Sequence, residues 1–456
     1  MLNPVDFSGR PFHFIGIGGI GMSAIAYILA NQGFTVSGSD LSSNSMTAKL
    51  AAAGATVYRG HDANHIDPTI APQVVCSTAI NQQNPEYQAA VALGLPILHR
   101  SDMLAALIGQ FKSIAVAGTH GKTTTSSLIG FLLLKTGIDP TIVIGGEVSA
   151  WEGNARIGQS EYLVAEADES DGTLVKFQPY LGVITNIELD HPDHYTSLEQ
   201  VVDIFIKFDQ QCEVMVGSID CPNVRKYFTP QITYSLSDPT ATYAVQDVQY
   251  ADDVTIATVI EKGQVLGAMR LSLLGQHNLS NALAAIAVAR HLGVSWAAIA
   301  EALPDFGGAL RRFEIKGQKN GITFVDDYAH HPSEIVATLT AAKQRVSYKR
   351  IVAIFQPHRY SRTRCFLKEF SESFSDADLV VVTDIYAASE PIDPELTGAT
   401  VVTAIAHHHP AVIYQPQLAD VQKFLTEELT SGDLALFLGA GNLNQIIVPT
   451  LESISA

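Results

Sequence analysis

One octapeptide limits this chain more than any other segment. Gly118-Thr119-His120-Gly121-Lys122-Thr123-Thr124-Thr125 follows the apolar run Ile114–Ala117 and leads into a helical stretch from Lys122 to about Lys135. A strand that feeds a glycine turn, with Lys-Thr opening a helix, is a phosphate-binding loop. Backbone N–H groups cradle phosphates, Lys122 reaches the β- and γ-phosphates, and a hydroxyl reaches Mg²⁺. The loop departs from the long G-x-x-x-x-G-K-[ST] form because position 116 is Val, so it is the short G-T-x-G-K-T variant. A chain with such a loop is committed to an α/β core around it. The competing reading, a glycine turn without a ligand, leaves Lys122-Thr123 unexplained.

The surrounding pattern agrees. Strands are expected at Phe12–Ile17, Thr35–Gly38, Val74–Ser77, Thr141–Ile144, Tyr162–Ala165 and Val183–Asn186, with helices at Met22–Asn31 and Leu104–Phe111. Alternating strands and helices predict parallel α/β sheets. Residues 241–274 change to two-residue alternation with turn signals at Asp252-Asp253 and Lys262-Gly263, which predicts an antiparallel excursion. Ala-rich helices follow at about 279–291 and 295–303, then a turn-rich break at Pro304–Gly308 with a hinge near 305–313. Beyond it come strands Thr323–Val325, Ile351–Phe355, Leu379–Thr383 and Leu434–Leu438, a helix after Pro332 and another at 363–374. The 456 residues make about three domains.

Composition removes several classes of function. With 28 basic and 46 acidic residues, the net charge is −18. Without a long Lys/Arg run, such a chain is a poor nucleic-acid binder. The four cysteines (Cys76, Cys212, Cys221, Cys365) have no CxxC spacing, so they mark neither zinc nor a disulfide framework and fit the cytosol. No basic, then apolar leader is expected at the N-terminus, and no run reaches the roughly 20 apolar residues of a membrane span. His407-His408-His409 reads as surface or helix-end histidines.

A second glycine-rich loop, Gly16-Ile17-Gly18-Gly19-Ile20-Gly21, also joins a strand to a helix. Glycines let the backbone approach a pyrophosphate, which then meets the helix N-terminus. Asp40 falls where a ribose-binding acid would sit. The loop signals a diphosphate nucleotide and points only weakly to NAD; a ligand-free turn is the alternative. Downstream of Lys122, Glu166-Ala167-Asp168-Glu169-Ser170-Asp171 and Asn186-Ile187-Glu188-Leu189-Asp190-His191 are polar ends of apolar strands. Carboxylates there suit Mg²⁺. On hardness alone, His191 is equally a structural residue.

Taken together, the motifs resemble the ATP-dependent Mur ligases of peptidoglycan synthesis. The resemblance spans the chain and is carried by His13–Ser23, Ser37–Asp40, Ser77–Ile80, Gly118–Thr125, Glu166–Asp171, Thr185–His191, His277–Asn281, Arg311–Glu314, Asp326–Pro332, Phe355–Arg364, Thr383–Glu390 and Gly439–Asn442. It implies three α/β domains: a Rossmann-like parallel sheet taking a UDP-sugar (1–109), a central P-loop ATPase-like domain (110–312), and a Rossmann-like C-terminal domain for amino-acid binding and closure (313–456). The implied substrates are ATP, UDP-N-acetylmuramate and L-alanine, with Mg²⁺ as the cofactor ion, in a cytoplasmic monomer or homodimer.

The resemblance also implies residue roles. Gly118, Thr119, His120, Gly121, Lys122, Thr123 and Thr124 hold ATP phosphates. Asn281 stands near adenine, Arg312 near the phosphates and Asp327 near the ribose. Thr123, Glu166 and His191 are metal-associated. Gly18, Gly19, Gly21, Asp40, Ser77, Thr78 and Ala79 serve the UDP-sugar; the usual serine pair is here Ser77-Thr78. His330, His331, Arg359 and Arg362 face the amino acid and the activated carboxyl group. Lys207 matches no metal-bridging motif and reads as a surface lysine. The implied reaction activates the lactyl carboxylate as an acyl phosphate that the amine of L-alanine attacks, with His330 or His331 as proton acceptor. Three alternatives stand beside it: a recycling ligase that adds a whole tripeptide, an NAD-dependent oxidoreductase using the first loop, and a non-catalytic nucleotide-binding regulator.

Overall fold

The computed structural model describes residues 4–251, 253–345 and 347–454. Its contacts form two units. One runs through Ile187 and takes in Val201–Tyr234 and Ala284–Ala302; the other comprises Glu188–Gln200, Ser235–Leu283 and the chain from Leu303 onward.

The first unit opens with a 5-stranded sheet of β1 (Phe12–Ile15), β2 (Val36–Asp40), β3 (Thr56–Arg59), β4 (Gln73–Cys76) and β5 (Ile97–His99), ordered β3-β2-β1-β4-β5. Every pair in it is parallel. β1 is buried throughout, as a strand covered on both faces is, and its one polar residue, His13, is bonded to Ser37 and Glu86. The expected strand Phe12–Ile17 stops at Ile15 because Gly16 turns to φ 80°. Chain order reverses between β1 and β4. That places a switch-point crevice beyond their carboxyl ends, where the first glycine loop and the Ser77–Ile80 turn emerge.

The same unit holds a second sheet. β6 (Lys112–Ala117), β7 (Thr141–Val148), β8 (Gly153–Arg156), β9 (Tyr162–Glu166), β10 (Leu181–Ile184), β11 (Val214–Ser218) and β12 (Ile232–Ser235) run in the order β12-β11-β10-β6-β9-β7-β8. Only the edge strand β8 is antiparallel to its neighbour there. The helix Lys122–Lys135 keeps its expected bounds and is buried from Thr123 to Leu133. Gly130, which breaks its apolar run, lets it lie close on β7: a Cβ there would stand 2.8 Å from Ile142 Cδ1.

In the second unit, β13 (Tyr243–Ala251), β14 (Val254–Glu261) and β15 (Gln264–Leu271) form the expected antiparallel meander. Lys262 and Gly263 both take positive φ at its second turn, as a tight hairpin demands. A 6-stranded sheet follows, made of β16 (Glu314–Lys319), β17 (Ile322–Asp327), β18 (Arg350–Phe355), β19 (Leu379–Val382), β20 (Val412–Tyr414) and β21 (Asp433–Leu438) in the order β16-β17-β21-β18-β19-β20. Two apolar clusters cover its faces, one around Phe355, Phe370 and Val380, the other around Phe324, Phe437 and Leu425. The expected helix at 363–374 is two short helices, Tyr360–Cys365 and Leu367–Glu372, broken where Phe366 adopts φ −111° and ψ 22°. His409 is buried and its Nε2 meets the Ala377 carbonyl oxygen at 2.9 Å, so that histidine is structural. Lys207 is exposed. Among the described residues no helix is long and apolar enough to cross a membrane.

Candidate active site

The phosphate loop is shaped by its sequence neighbours. At Gly118, φ is 138°, and a Cβ would stand 1.9 Å from Thr185 Oγ1, so only glycine fits. Thr119 N donates to the Asn186 carbonyl oxygen (3.0 Å) and His120 N to Asn186 Oδ1 (2.8 Å). Thr185 Oγ1 and Asn186 Nδ2 both donate to the His120 carbonyl oxygen. The β10 exit therefore fixes the loop, and Gly121, at φ 81°, starts the helix with its first-turn N–H groups free of intrahelical partners.

Lys122 curls into this loop. Nζ donates to the carbonyls of Gly118 (2.7 Å) and Thr119 (3.1 Å) and pairs with Glu169 Oε2 at 2.9 Å. Burial opposes its charge, but Glu169, Asp168 and Glu166 outweigh burial and hold its pKa above the ordinary lysine value. Burial pushes the Glu169 carboxyl up to about 7 against the pull of Lys122. Thr123 Oγ1 donates to Glu166 Oε2 at 2.9 Å, and Gly145 N donates to the same oxygen at 2.8 Å. The structure thus gathers Lys122, Thr123, Glu166 and Glu169, while Thr124 lies buried in the helix. Glu169 was not singled out from the sequence, although it stands in the quoted acidic run.

At the first glycine loop, Asp40 Oδ2 accepts from Gly18 N at 2.9 Å and Oδ1 from Ser42 N at 3.1 Å. Asp40 thus ties the loop down through Gly18 N. Gly19 is exposed, Gly21 is half-buried under the Arg100 side chain, and Ser77, Thr78 and Ala79 form a half-exposed turn whose Ile80 touches Gly16. Arg100 was missed because no motif contains it; its guanidinium lies 3.9 Å from Asp171.

The second unit collects the remaining residues. Arg362 and Asp190 are both buried and joined by two bonds, Nε to Oδ1 at 2.9 Å and Nη2 to Oδ2 at 3.2 Å. Burial alone would raise the Asp190 carboxyl, but Arg362, His191 and His330 hold it far below the usual range. Asp190 Oδ1 also accepts from His191 N, and His191 takes the left-handed conformation at φ 55°. Arg359, likewise left-handed at φ 68°, bonds Asp193. Glu188 Oε2 accepts from Ser333 Oγ at 2.7 Å.

His330 and His331 differ in their bonds. His330 Nδ1 lies 2.9 Å from the Tyr328 carbonyl oxygen, which can only accept, so its proton sits on Nδ1 and Nε2 keeps the lone pair. Burial lowers its pKa to about 4, leaving it neutral at pH 7. His331 caps the helix Pro332–Lys343, its Nδ1 accepting from Ser333 N, which puts the proton on Nε2. Asp327 is buried, with Oδ2 accepting from Phe313 N (2.7 Å) and Oδ1 from Ala329 N (2.8 Å); burial raises it to about 6. Arg312 lies over the Tyr328 ring at 5.3 Å. Arg311 and Phe313 take positive φ in the segment expected to be a hinge. Asn281 is buried on the helix Gln276–His291.

Three family models match in succession: the Mur ligase catalytic domain at residues 11–112, the Mur ligase middle domain at 116–289, and the Mur ligase glutamate ligase domain at 311–441. The chain is 59% identical over 466 aligned residues to the UDP-N-acetylmuramate–L-alanine ligase of Nostoc punctiforme, covering 98% of this chain and 97% of the relative. Its fold matches the UDP-N-acetylmuramate–alanine ligase of Thermotoga maritima with a TM-score of 0.82 at 29% identity, covering 97% and 98% of the two chains. A murein peptide ligase from Psychrobacter arcticus matches with a TM-score of 0.72 at 25% identity, covering 98% and 100%.

Proposed function

The chain belongs to the Mur ligase family, and from that premise we propose that it joins L-alanine to the lactyl carboxylate of UDP-N-acetylmuramate at the expense of ATP. Full-length likeness to alanine-adding ligases carries the reading. The phosphate loop with Lys122 and Thr123 supports its ATP dependence. We assign residues 1–109, 110–312 and 313–456 to the UDP-sugar, to ATP, and to the amino acid, and the cytoplasm as the place of reaction.

A carboxylate is a poor electrophile, so it must first be activated. Its oxygen attacks the γ-phosphorus, the bond to ADP breaks, and an acyl phosphate forms. Attacker and target are both anionic; Lys122 and Arg312 offset that repulsion, Thr119 and His120 hold the loop in shape through Asn186, and the N–H groups from Gly121 to Thr124 orient the phosphates. Thr123 and Glu166 bring oxygen donors together at the loop, a set that fits a hard ion such as Mg²⁺. Bound there, Mg²⁺ would neutralise phosphate charge; His191 keeps the metal-associated role that the family pattern implies. Asn281 and Asp327 serve the adenosine, Asp327 on exchanging one of its backbone bonds for the ribose.

The amine nitrogen of L-alanine then attacks the acyl carbon, a C–N bond forms, and phosphate leaves. We assign the amine proton to His330 Nε2, the nitrogen with a lone pair; His331 Nε2 already carries a proton. Arg359 meets the amino-acid carboxylate. Arg362, committed to Asp190, positions the groups around it. Gly18, Gly19 and Gly21 take the diphosphate, with Asp40, Ser77, Thr78, Ala79 and the overlooked Arg100 around it.

The test is ADP release with UDP-N-acetylmuramate fixed and the second substrate varied. L-alanine is expected to drive turnover and a whole tripeptide is not. Turnover with the tripeptide alone would move the assignment to the recycling ligase, and a change in absorbance at 340 nm with NAD would move it to an oxidoreductase.

A further inference from the structure

Beneath the first glycine loop lies a carboxylate with no part in the chemistry above. Glu86, in the first turn of the helix Pro85–Ala92, is fully buried. A buried carboxylate survives only when its oxygens are satisfied. Oε2 accepts from Ser39 Oγ at 2.6 Å and lies 3.1 Å from His13 Nε2. Oε1 lies 2.7 Å from His65 Nδ1 and accepts from Asp62 N at 3.2 Å. His61 Nδ1 stands 3.8 Å away and bonds Ser39 Oγ. Tyr58 stacks on His65 with ring centroids 4.2 Å apart. Burial works against this charge, yet the bonds from His13, Ser39 and His65 bring its pKa down to about 2.

Two of these donors, His13 and Ser39, come from the strands that flank the loop. His13 is on β1, shortly before Gly16. Ser39 is on β2, and its carbonyl oxygen accepts from both Gly16 N (2.8 Å) and Ile17 N (2.9 Å). The next residue, Asp40, accepts from Gly18 N. A single chain of bonds therefore runs from Glu86 through the Ser39 hydroxyl to the Ser39 carbonyl and the Asp40 carboxylate, and so to three successive loop N–H groups. It sets the path of the loop and the direction of the N–H groups that open the helix Ile20–Asn31.

We propose that Glu86 is a positioning residue for the first glycine loop, holding Ser39-Asp40 so that the N–H groups opening the helix Ile20–Asn31 face a nucleoside diphosphate. The proposal rests on the reading that this loop takes the UDP-sugar. It is separable from that reading because UDP binding can be measured without amide synthesis. Glu86→Gln keeps the shape but turns an amide N–H₂ toward donors. It is expected to weaken UDP binding, measured by calorimetry, about tenfold, as loss of a charge-assisted bond does. The KM for UDP-N-acetylmuramate should rise alike, while kcat and the KM for ATP stay within about twofold.

A purely structural role would lower the active fraction, and so kcat, without moving that KM. Ser39→Ala cuts the link and leaves Glu86 its other donors; it should act in the same direction, and it carries the test if Glu86→Gln does not fold. Wild-type UDP affinity in the folded variants overturns the proposal, as does a fall in kcat at unchanged KM. If wild type binds UDP but releases no ADP with L-alanine, the ligase reading fails while weaker UDP binding by the variants still supports Glu86. Wild type that binds no UDP overturns both.

Discussion

Lys122 Nζ lies 2.9 Å from Glu169 Oε2, with side-chain exposures of 12% and 2%. A buried pair is worth little relative to an apolar one, but breaking it strands Glu169, a buried carboxyl that must take up a proton or stay uncompensated, at up to about 3–5 kcal/mol. Lys122→Ala should therefore lower the unfolding temperature markedly and abolish ADP release, with UDP binding kept. Adding Glu169→Gln removes the stranded carboxylate and should restore most of the melting temperature but none of the turnover. Calorimetry and an ADP assay on the same three proteins check this. Recovered turnover in the double variant would remove Lys122 from the chemistry.

Gly118→Ala makes a narrower claim. The new Cβ collides with Thr185 Oγ1, and φ 138° is hostile to any L side chain. The loop must shift, and a misplacement of about 1 Å can cost about 10²-fold in rate. ATP affinity and kcat should fall together, with UDP affinity unchanged. An active Gly118→Ala enzyme would show that the loop geometry is not what positions the phosphates.

The parts legible in the sequence are those set by local rules. The helix Lys122–Lys135 was bounded correctly because a glycine turn starts it and Lys135-Thr136-Gly137 ends its apolar run. What escaped depends on partners far along the chain. That Asp40 also anchors the first glycine loop shows only when β1 and β2 pair and bring Gly18 N to it. Glu86 carries no motif, and its role appears only when β1, β2 and the segment 61–65 bring donors to it. Strand β11 was not anticipated, although Val214, Met215 and Val216 make a short apolar run. The break at Phe366 also has no local warning, since neither proline nor glycine stands there.

His191 offers a way to separate backbone from imidazole. At φ 55° most side chains are strained, but Asn tolerates that region. His191→Asn should keep the Asp190 bond to its N–H and hold stability within about 0.5 kcal/mol. If the imidazole serves the metal, turnover should fall and the Mg²⁺ concentration for half-maximal rate should rise. A fall in stability with unchanged Mg²⁺ dependence would make His191 structural, the other reading its chemistry allows.

His330 and Asp327 make opposite contributions to stability against pH. His330 has a pKa lowered to about 4 from 6.5, so the unfolded chain takes up its proton first as pH falls. Stability is full above 6.5 and is lost as pH drops through the window from 6.5 to 4, a change on the order of 3 kcal/mol. Asp327 is raised to about 6 from 3.8, so the folded chain holds its proton longer. Its contribution is full below 3.8 and is lost as pH rises toward 6, again on the order of 3 kcal/mol. His330→Gln should thus gain stability relative to wild type between pH 6.5 and pH 4. Asp327→Asn should gain relative to wild type as pH rises from 4 to 6. Melting temperatures of the three proteins over pH 4 to 8 read both slopes. A His330→Gln curve parallel to wild type would mean that burial does not keep His330 neutral, and with it would go His330 as the nitrogen that accepts the amine proton.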